Sequence, residues 1–387
     1  AELFDPAHAR APTGARAWNL GVLAAAGGAI SFVDNDTTFP LRRAPDARDA
    51  YEPRNSPVAT TRYLDAGEYD TLPALDVEPY GWLARHVGAS ARTMIERHGW
   101  DEAALAGQPA DALAHCRSDA TVVAASGGVY GGLAFNSSAW LNTGSPEKLA
   151  GLWRAPYRHE RLEADSLMHG VIAPRLVDTA WYAPALCDAR ELLPFTGTLA
   201  LADDTFFLGL LGALCRQPLF SYVPTLLGHF PVERRSRLQR SLEPLLLDRN
   251  GLVCELFGDV AKTLRGDDRA TRLRAIGAVC ADLAAASDAT LASTVLAWRQ
   301  PRIAGLVDAL SASLASAGAA PAEWRAHAVR VRAVNREAAI ADRVGPDELE
   351  RWRWLLGQCA FAAEAWPLLW NDALERPLLE GLALQPE

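Results

Sequence analysis

Two acidic motifs and one histidine carry the chemistry that this sequence offers. The apolar run Ile30-Ser31-Phe32-Val33 ends in Asp34-Asn35-Asp36. Residues i and i+2 of a strand point to the same side, so the two carboxylates share a face. Carboxylates that close repel unless a cation joins them, and hard oxygen donors suit a divalent metal. Farther along, Asp203-Asp204 opens an apolar stretch, and a lone His229 follows in Gly228-His229-Phe230-Pro231. Two carboxylates at a strand end, a carboxylate at a helix start and a later imidazole form a set that holds a divalent metal and activates a hydroxyl. Each part also has a plainer reading. Aspartates are common in loops after strands, an Asp ahead of an apolar helix is an ordinary N-cap, and an isolated histidine is often a satisfied structural residue.

The elements that must position these residues are legible in outline. Residues 15–28 read as a short helix stopped by Gly27-Gly28. Residues 29–33 read as a buried strand. Residues 40–78 carry Pro40, Pro45, Pro53, Pro57 and Pro73 and read as an irregular excursion. Residues 79–98 turn helical. Residues 120–140, with Gly127, Gly128, Gly131 and Gly132, read as a strand or hairpin. Residues 144–170 read as helical or mixed, and 172–188 as extended. Beyond His229 the pattern changes: Leu273, Ile276, Cys280 and Leu283 fall on one helical face, and 234–387 reads as five to seven helices. The tryptophans there (Trp298, Trp324, Trp352, Trp354, Trp366, Trp370) are expected in a core or an interface. The expected organisation is an α/β domain over 1–232 followed by an all-α domain over 233–387.

Bulk properties narrow the classes. The chain has 387 residues and a formal net charge of -9, which disfavours a general nucleic-acid binder. Its 22% charged and 50% hydrophobic content fits a packed protein rather than a disordered one. Six scattered cysteines without CxxC spacing read as buried free thiols. No apolar run approaches the roughly 20 residues of a membrane span, and the first residues do not read as a signal peptide, so the expected location is cytoplasmic.

The ordered set of motifs resembles the GT-A fold glycosyltransferases of family 2 type. The resemblance rests on Asn19, Gly21, Ala25 and Gly27 leading into Ala29-Ile30-Ser31-Phe32-Val33-Asp34-Asn35-Asp36, and on ADDTFFLGLLGALCRQPLFSYVPTLLGHFP from Ala202 to Pro231. It covers about residues 10–232. It implies a Rossmann-like nucleotide-diphospho-sugar transferase domain and a divalent metal, Mn2+ or Mg2+, held by Asp34, Asp36 and His229. It further implies a nucleoside diphosphate sugar contacted by Asn19, Arg16 and Asp34. Asp204 aligns with the family's general base, and Asp203 stands beside it. The implied reaction moves a hexose to the hydroxyl of a glycan, lipid, protein or small molecule, with inversion. Gly128 and Tyr130, with Asn136 and Trp140 nearby, are candidates for close approach to the sugar or acceptor. Three departures stand out: Trp18 rather than arginine precedes Asn19, Asp203 replaces a common glutamate, and few residues precede Asp34, as if the first strands of the fold were missing. Two other readings remain. One is a non-catalytic interaction protein on a GT-A-like scaffold. The other is a haloacid-dehalogenase-type phosphatase, with Asp34 as nucleophile, Asp36 as acid/base, Lys148 as its lysine and Asp203-Asp204 as metal acids. The helical domain is expected to hold the acceptor, bind a partner or form a homo-oligomer.

Overall fold

The structure, a computed structural model, describes residues 14–33, 37–52, 60–75, 79–101, 110, 119–131, 143, 149–150, 153, 167–177, 185–197, 203–230, 249–266, 268–318 and 320–376. These form a mixed α/β region with one eight-stranded sheet, followed by a helical region. The strands are β1 (Ala29–Phe32), β2 (Thr37–Arg43), β3 (Thr60–Tyr63), β4 (Val122–Gly131), β5 (Leu167–Gly170), β6 (Arg175–Val177), β7 (Ala185–Asp188) and β8 (Leu219–His229). Helices α1 (Gly14–Ala24), α2 (Ala66–Thr71), α3 (Pro79–Ala84), α4 (Ala91–His98) and α5 (Asp203–Leu214) belong to the first region. Helices α6 (Arg249–Thr263), α7 (Arg269–Ala285), α8 (Asp288–Ser316), α9 (Ala322–Ala341) and α10 (Pro346–Glu375) make up the second.

The two long strands organise the sheet. β4 and β8 run parallel, side by side, and are buried along almost their whole length, which is why both read as apolar runs without alternation. The far edge of β4 is shared by two short antiparallel strands, β7 along Ala124–Ser126 and β5 along Val129–Gly131. The far edge of β8 is shared in the same way by β6 along Phe220–Tyr222 and by β2 along Thr225–His229. β1 extends the sheet beyond β7, and β3 beyond β5. Proline is normally excluded from central strands because it donates no ladder hydrogen bond. Pro224 is tolerated in β8 because it sits where β6 gives way to β2 and where the β4 register shifts between Ser126 and Gly128. Its carbonyl accepts the N–H of Ala44 at 2.9 Å.

The expected strand at 29–33 and helix at 15–28 are present, as β1 and α1. Gly27 adopts φ +86°, a conformation that favours glycine, and its N–H donates to Ala189 O at 2.7 Å, tying the α1–β1 turn to the end of β7. The stretch 40–78 is more regular than its prolines suggest. It contains the end of β2, the strand β3, and α2, whose start is a capping box: the Glu68 N–H donates to Asp65 Oδ1, and the Asp65 N–H donates to the Glu68 carboxylate. Part of 144–170 is strand rather than helix, since β5 occupies Leu167–Gly170. Residues 132–140, the second half of the expected strand or hairpin, lie outside the described residues.

α5 is apolar on nearly every side because it is covered twice. One side meets the sheet and the other meets the C-terminal helices, so a single core runs from Phe32, Val123 and Tyr222 through Phe206, Leu210 and Leu214 to Phe257, Ile276, Trp352 and Trp366. Polar links cross the same boundary. Trp366 Nε1 donates to Leu193 O at 2.7 Å. Arg272, 3% exposed, donates through Nε and Nη2 to Ala213 O at 3.1 and 2.9 Å. It also donates to Ala261 O at 3.2 Å, and to Leu264 O and Gly266 O at 3.4 Å. One guanidinium thus satisfies carbonyls at the ends of both α5 and α6, the groups that a helix C-terminus leaves without partners. α7 and α10 cross closely at Gly277, where a Cβ would come within 2.5 Å of Ala363 Cβ. The thiols of Cys187, Cys215, Cys280 and Cys359 are free and buried, as their apolar surroundings imply, and burial pushes the Cys187 thiol up to about 12.

A buried polar knot lies under the sheet. His86 Nδ1 is 2.9 Å from Ser221 Oγ and 3.2 Å from Tyr51 Oη, and Arg175 pairs with Glu52 at 2.8 Å close by. Burial lowers the His86 pKa to about 3, with smaller contributions from His98, Arg97 and Arg85. In the unfolded chain its ordinary value is 6.5. The unfolded state therefore takes up a proton that the folded state refuses. The stability is fully present above pH 6.5 and is lost progressively as pH falls toward 3, by up to about 1.4 kcal/mol per pH unit. Between pH 7 and 5 the native chain is expected to lose roughly 2 kcal/mol more than His86→Gln in urea unfolding. Equal losses in the two proteins would show that His86 is not the acid-sensitive group.

Candidate active site

The sheet brings the ends of β4 and β8 together, Gly131 opposite His229, while β1 ends at Phe32 level with Ser126 of β4, both opposite Ala185 of β7. β1 and β4 are both antiparallel to β7, and β8 is parallel to β4, so β1, β4 and β8 all run the same way. Their carboxyl ends are Phe32, Gly131 and His229. In open α/β sheets the carboxyl ends of parallel strands are where ligands bind.

The sequence candidates fall around these ends as follows. The Phe32 ring lies 5.0 Å, edge to face, from the Phe207 ring, and Trp18 stacks on Phe32 at 3.9 Å. Phe207 belongs to the first turns of α5, so this contact brings the Asp203-Asp204 helix start beside the end of β1. Asp204 is half-buried, and its Oδ1 accepts the Thr205 N–H at 2.8 Å. Asp203 begins α5, but its side chain lies outside the described residues, as does that of Arg16. His229 ends β8 half-buried and pairs in register with Thr37 at the start of β2. Asp34 and Asp36 lie outside the described residues. They are nonetheless flanked by described ones, with β1 ending at Phe32 and Thr37 standing opposite His229. Asn136 and Trp140 also lie outside the described residues.

Asn19 is fully buried and braces the fold: its Oδ1 accepts the Thr196 N–H at 2.7 Å and its Nδ2 donates to Thr196 O at 3.4 Å. That pair anchors α1 to the segment leading toward Asp203-Asp204. Gly128 sits deep in the sheet, where a Cβ would come within 2.7 Å of both Gly170 Cα and His169 O. Its missing side chain makes room for β5 rather than for open space. Tyr130 is buried, stacked on Tyr69 at 4.0 Å and edge-on to Phe230 at 6.0 Å.

Sequence reasoning did not find Tyr69, Arg42 or the two exposed phenylalanines of this neighbourhood. Arg42 lies 5.0 Å over the Tyr69 ring. Burial raises the Tyr69 pKa, and the nearby guanidinium opposes that rise. Phe39, 47% exposed, lies on the strand that pairs with His229, and Phe230, 38% exposed, follows His229 directly. The capping box at Asp65–Glu68 was the one local signal that could have placed Tyr69 on a helix.

Compared with known proteins, the chain matches no family model, and no curated protein or solved structure is significantly similar to it. Among the described residues no three metal-ligating side chains come together, and no helix is long and apolar enough to cross a membrane.

Proposed function

We propose that the chain is a metal-dependent glycosyltransferase of GT-A type that moves a sugar from a nucleoside diphosphate sugar to an acceptor hydroxyl. One observation carries this reading. The segment that holds Asp34 and Asp36 is bounded by two long-range contacts: the Phe32–Phe207 rings join the end of β1 to the first turns of α5, and Thr37 pairs with His229. The carboxyl ends of parallel strands are where α/β sheets take nucleotides.

The donor set fits the metal. Asp34 and Asp36 offer hard oxygens, His229 a nitrogen, and such a mixture suits Mn2+ or Mg2+ rather than a thiolate-seeking ion. When bound there, the cation offsets the negative charge of the leaving diphosphate. The protein's own groups do the rest. Asp204, at the head of α5, accepts the acceptor hydroxyl's proton as that oxygen bonds to the anomeric carbon and the bond to the diphosphate oxygen breaks, which inverts the centre. Phe39 and Phe230 offer exposed aromatic faces beside His229 against which a sugar or base could stack.

Titration calorimetry with a nucleoside diphosphate, with and without manganese, tests the site. The native chain is expected to bind only with metal, and Asp36→Ala is expected to lose that binding while its circular dichroism is unchanged. Unaltered affinity in Asp36→Ala would remove Asp36 from the site. Failure of the native chain to bind any nucleoside diphosphate would favour the non-catalytic reading.

A further inference from the structure

Helix α6, the first of the C-terminal region, closes on the helix that carries Asp204. Cys254 of α6 fills a notch left by Gly209 of α5. A Cβ at Gly209 would come within 2.5 Å of the Cys254 Sγ and 3.0 Å of its Cβ. The same thiol donates to Thr205 O at 3.5 Å. One turn farther along α6, Phe257 meets Phe206 edge to face at 5.3 Å. Thr205, Phe206 and Gly209 all belong to the first turns of α5. The grip of α6 therefore falls on the end of α5 that carries Asp204.

Thr205 joins the two ends of this contact. Its N–H donates to Asp204 Oδ1 at 2.8 Å, and its carbonyl accepts the Cys254 thiol. α6 is itself held in place. Arg302 of α8 donates through Nε to Glu255 Oε1 at 2.9 Å, and Leu252, Val253, Leu256 and Phe257 are buried in the core that the sheet shares with the last helices. Close-packed interiors yield little and pass on strain, so a change at the Gly209–Cys254 contact moves the first turn of α5.

We infer that Cys254 is a positioning residue: lodged against Gly209 and Thr205, it sets where the first turn of α5 stands and so where Asp204 points, which makes the helical region part of the frame of the candidate site. The inference rests on Asp204 as the base proposed above. A proton acceptor works only within hydrogen-bond reach of the proton it takes, and a misplacement of about 1 Å costs on the order of 100-fold in rate. Cys254 acts through α5 and takes no part in the proton transfer itself.

A double-mutant cycle on sugar transfer tests the inference, with circular dichroism to confirm folding. Gly209→Ala drives a methyl group against the Cys254 sulfur and is expected to slow turnover on the order of 10- to 100-fold at unchanged donor affinity. Adding Cys254→Ala removes the sulfur and is expected to restore most of the rate. Cys254→Ala alone, which only removes atoms, is expected to slow turnover by a factor of a few. In an Asp204→Asn background neither change is expected to cost anything further, because a displaced base matters only where there is a base. A general loss of stability would instead slow both backgrounds alike. Normal turnover in Gly209→Ala and Cys254→Ala, no recovery in the double variant, or an equal cost in both backgrounds overturns the inference and leaves Asp204 as the base. Nearly normal transfer by Asp204→Asn, or no transfer by the native chain, overturns the base assignment and the inference with it.

Discussion

Asp204→Asn is expected to bind the nucleotide sugar normally and to transfer the sugar slower by a factor on the order of 100 to 10,000, the usual range for a lost general base. The variant isolates proton acceptance. Asparagine keeps an oxygen where Asp204 Oδ1 receives the Thr205 N–H at 2.8 Å, so the helix start stays capped, and the two side chains have nearly the same shape. An amide, however, takes no proton at neutral pH. Asp203→Asn is expected to cost less, because its place at the helix start suits a cap or a residue that orients Asp204. The measurements are turnover and donor affinity for both variants, with circular dichroism to confirm folding. Nearly normal transfer by Asp204→Asn with a large loss in Asp203→Asn would reverse the roles. Nearly normal transfer by both would leave the helix start as a cap alone.

Arg272→Leu is expected to destabilise the protein by about 3–5 kcal/mol, the largest loss we expect from a single change far from the site. The substitution matches the arginine in apolar bulk but leaves Ala213 O of α5 without the donor that reaches it twice, and takes one donor from Ala261 O of α6, which keeps the Leu264 N–H. Buried acceptors left without donors cost about 1–3 kcal/mol each before relaxation. Arg272→Lys is expected to recover only part, since one ammonium cannot reach the carbonyls that the forked guanidinium joins. Urea unfolding of the three proteins decides the matter. A loss below about 1 kcal/mol in Arg272→Leu would mean that water replaces the guanidinium.

What was legible in the sequence follows from how much each segment reports on itself. β1 announces itself because an apolar run begins just after a glycine stop. The helices after His229 announce themselves because each buries one stripe, which writes a 3.6-residue period into Leu273, Ile276 and Cys280. β3 and β5 do not, because four residues are too few to show a period, and both take their stability from long-range pairing with each other. The short antiparallel strands that flank β4 and β8 follow from the lengths of those two strands, which no local pattern reports. At the site the carboxylates and the histidine were legible as residue types. The contacts that flank them were not, because the Phe32–Phe207 rings and the Thr37–His229 pairing join residues far apart in sequence. Gly128 illustrates the opposite limit: a glycine-rich run suggests approach by a ligand, but the neighbour that approaches is the chain's own β5.

The core shared by the sheet and the last helices sets the order in which the molecule can be made. During synthesis α5 leaves the ribosome well before α10, with Phe206, Leu210 and Leu214 still lacking half of their cover. At about 5–20 residues per second the wait is on the order of ten seconds or longer. Through that interval the half that carries the candidate site is a sticky, unfinished layer. Trp366 closes it by donating to Leu193 O, and that closure waits until α10 has been made.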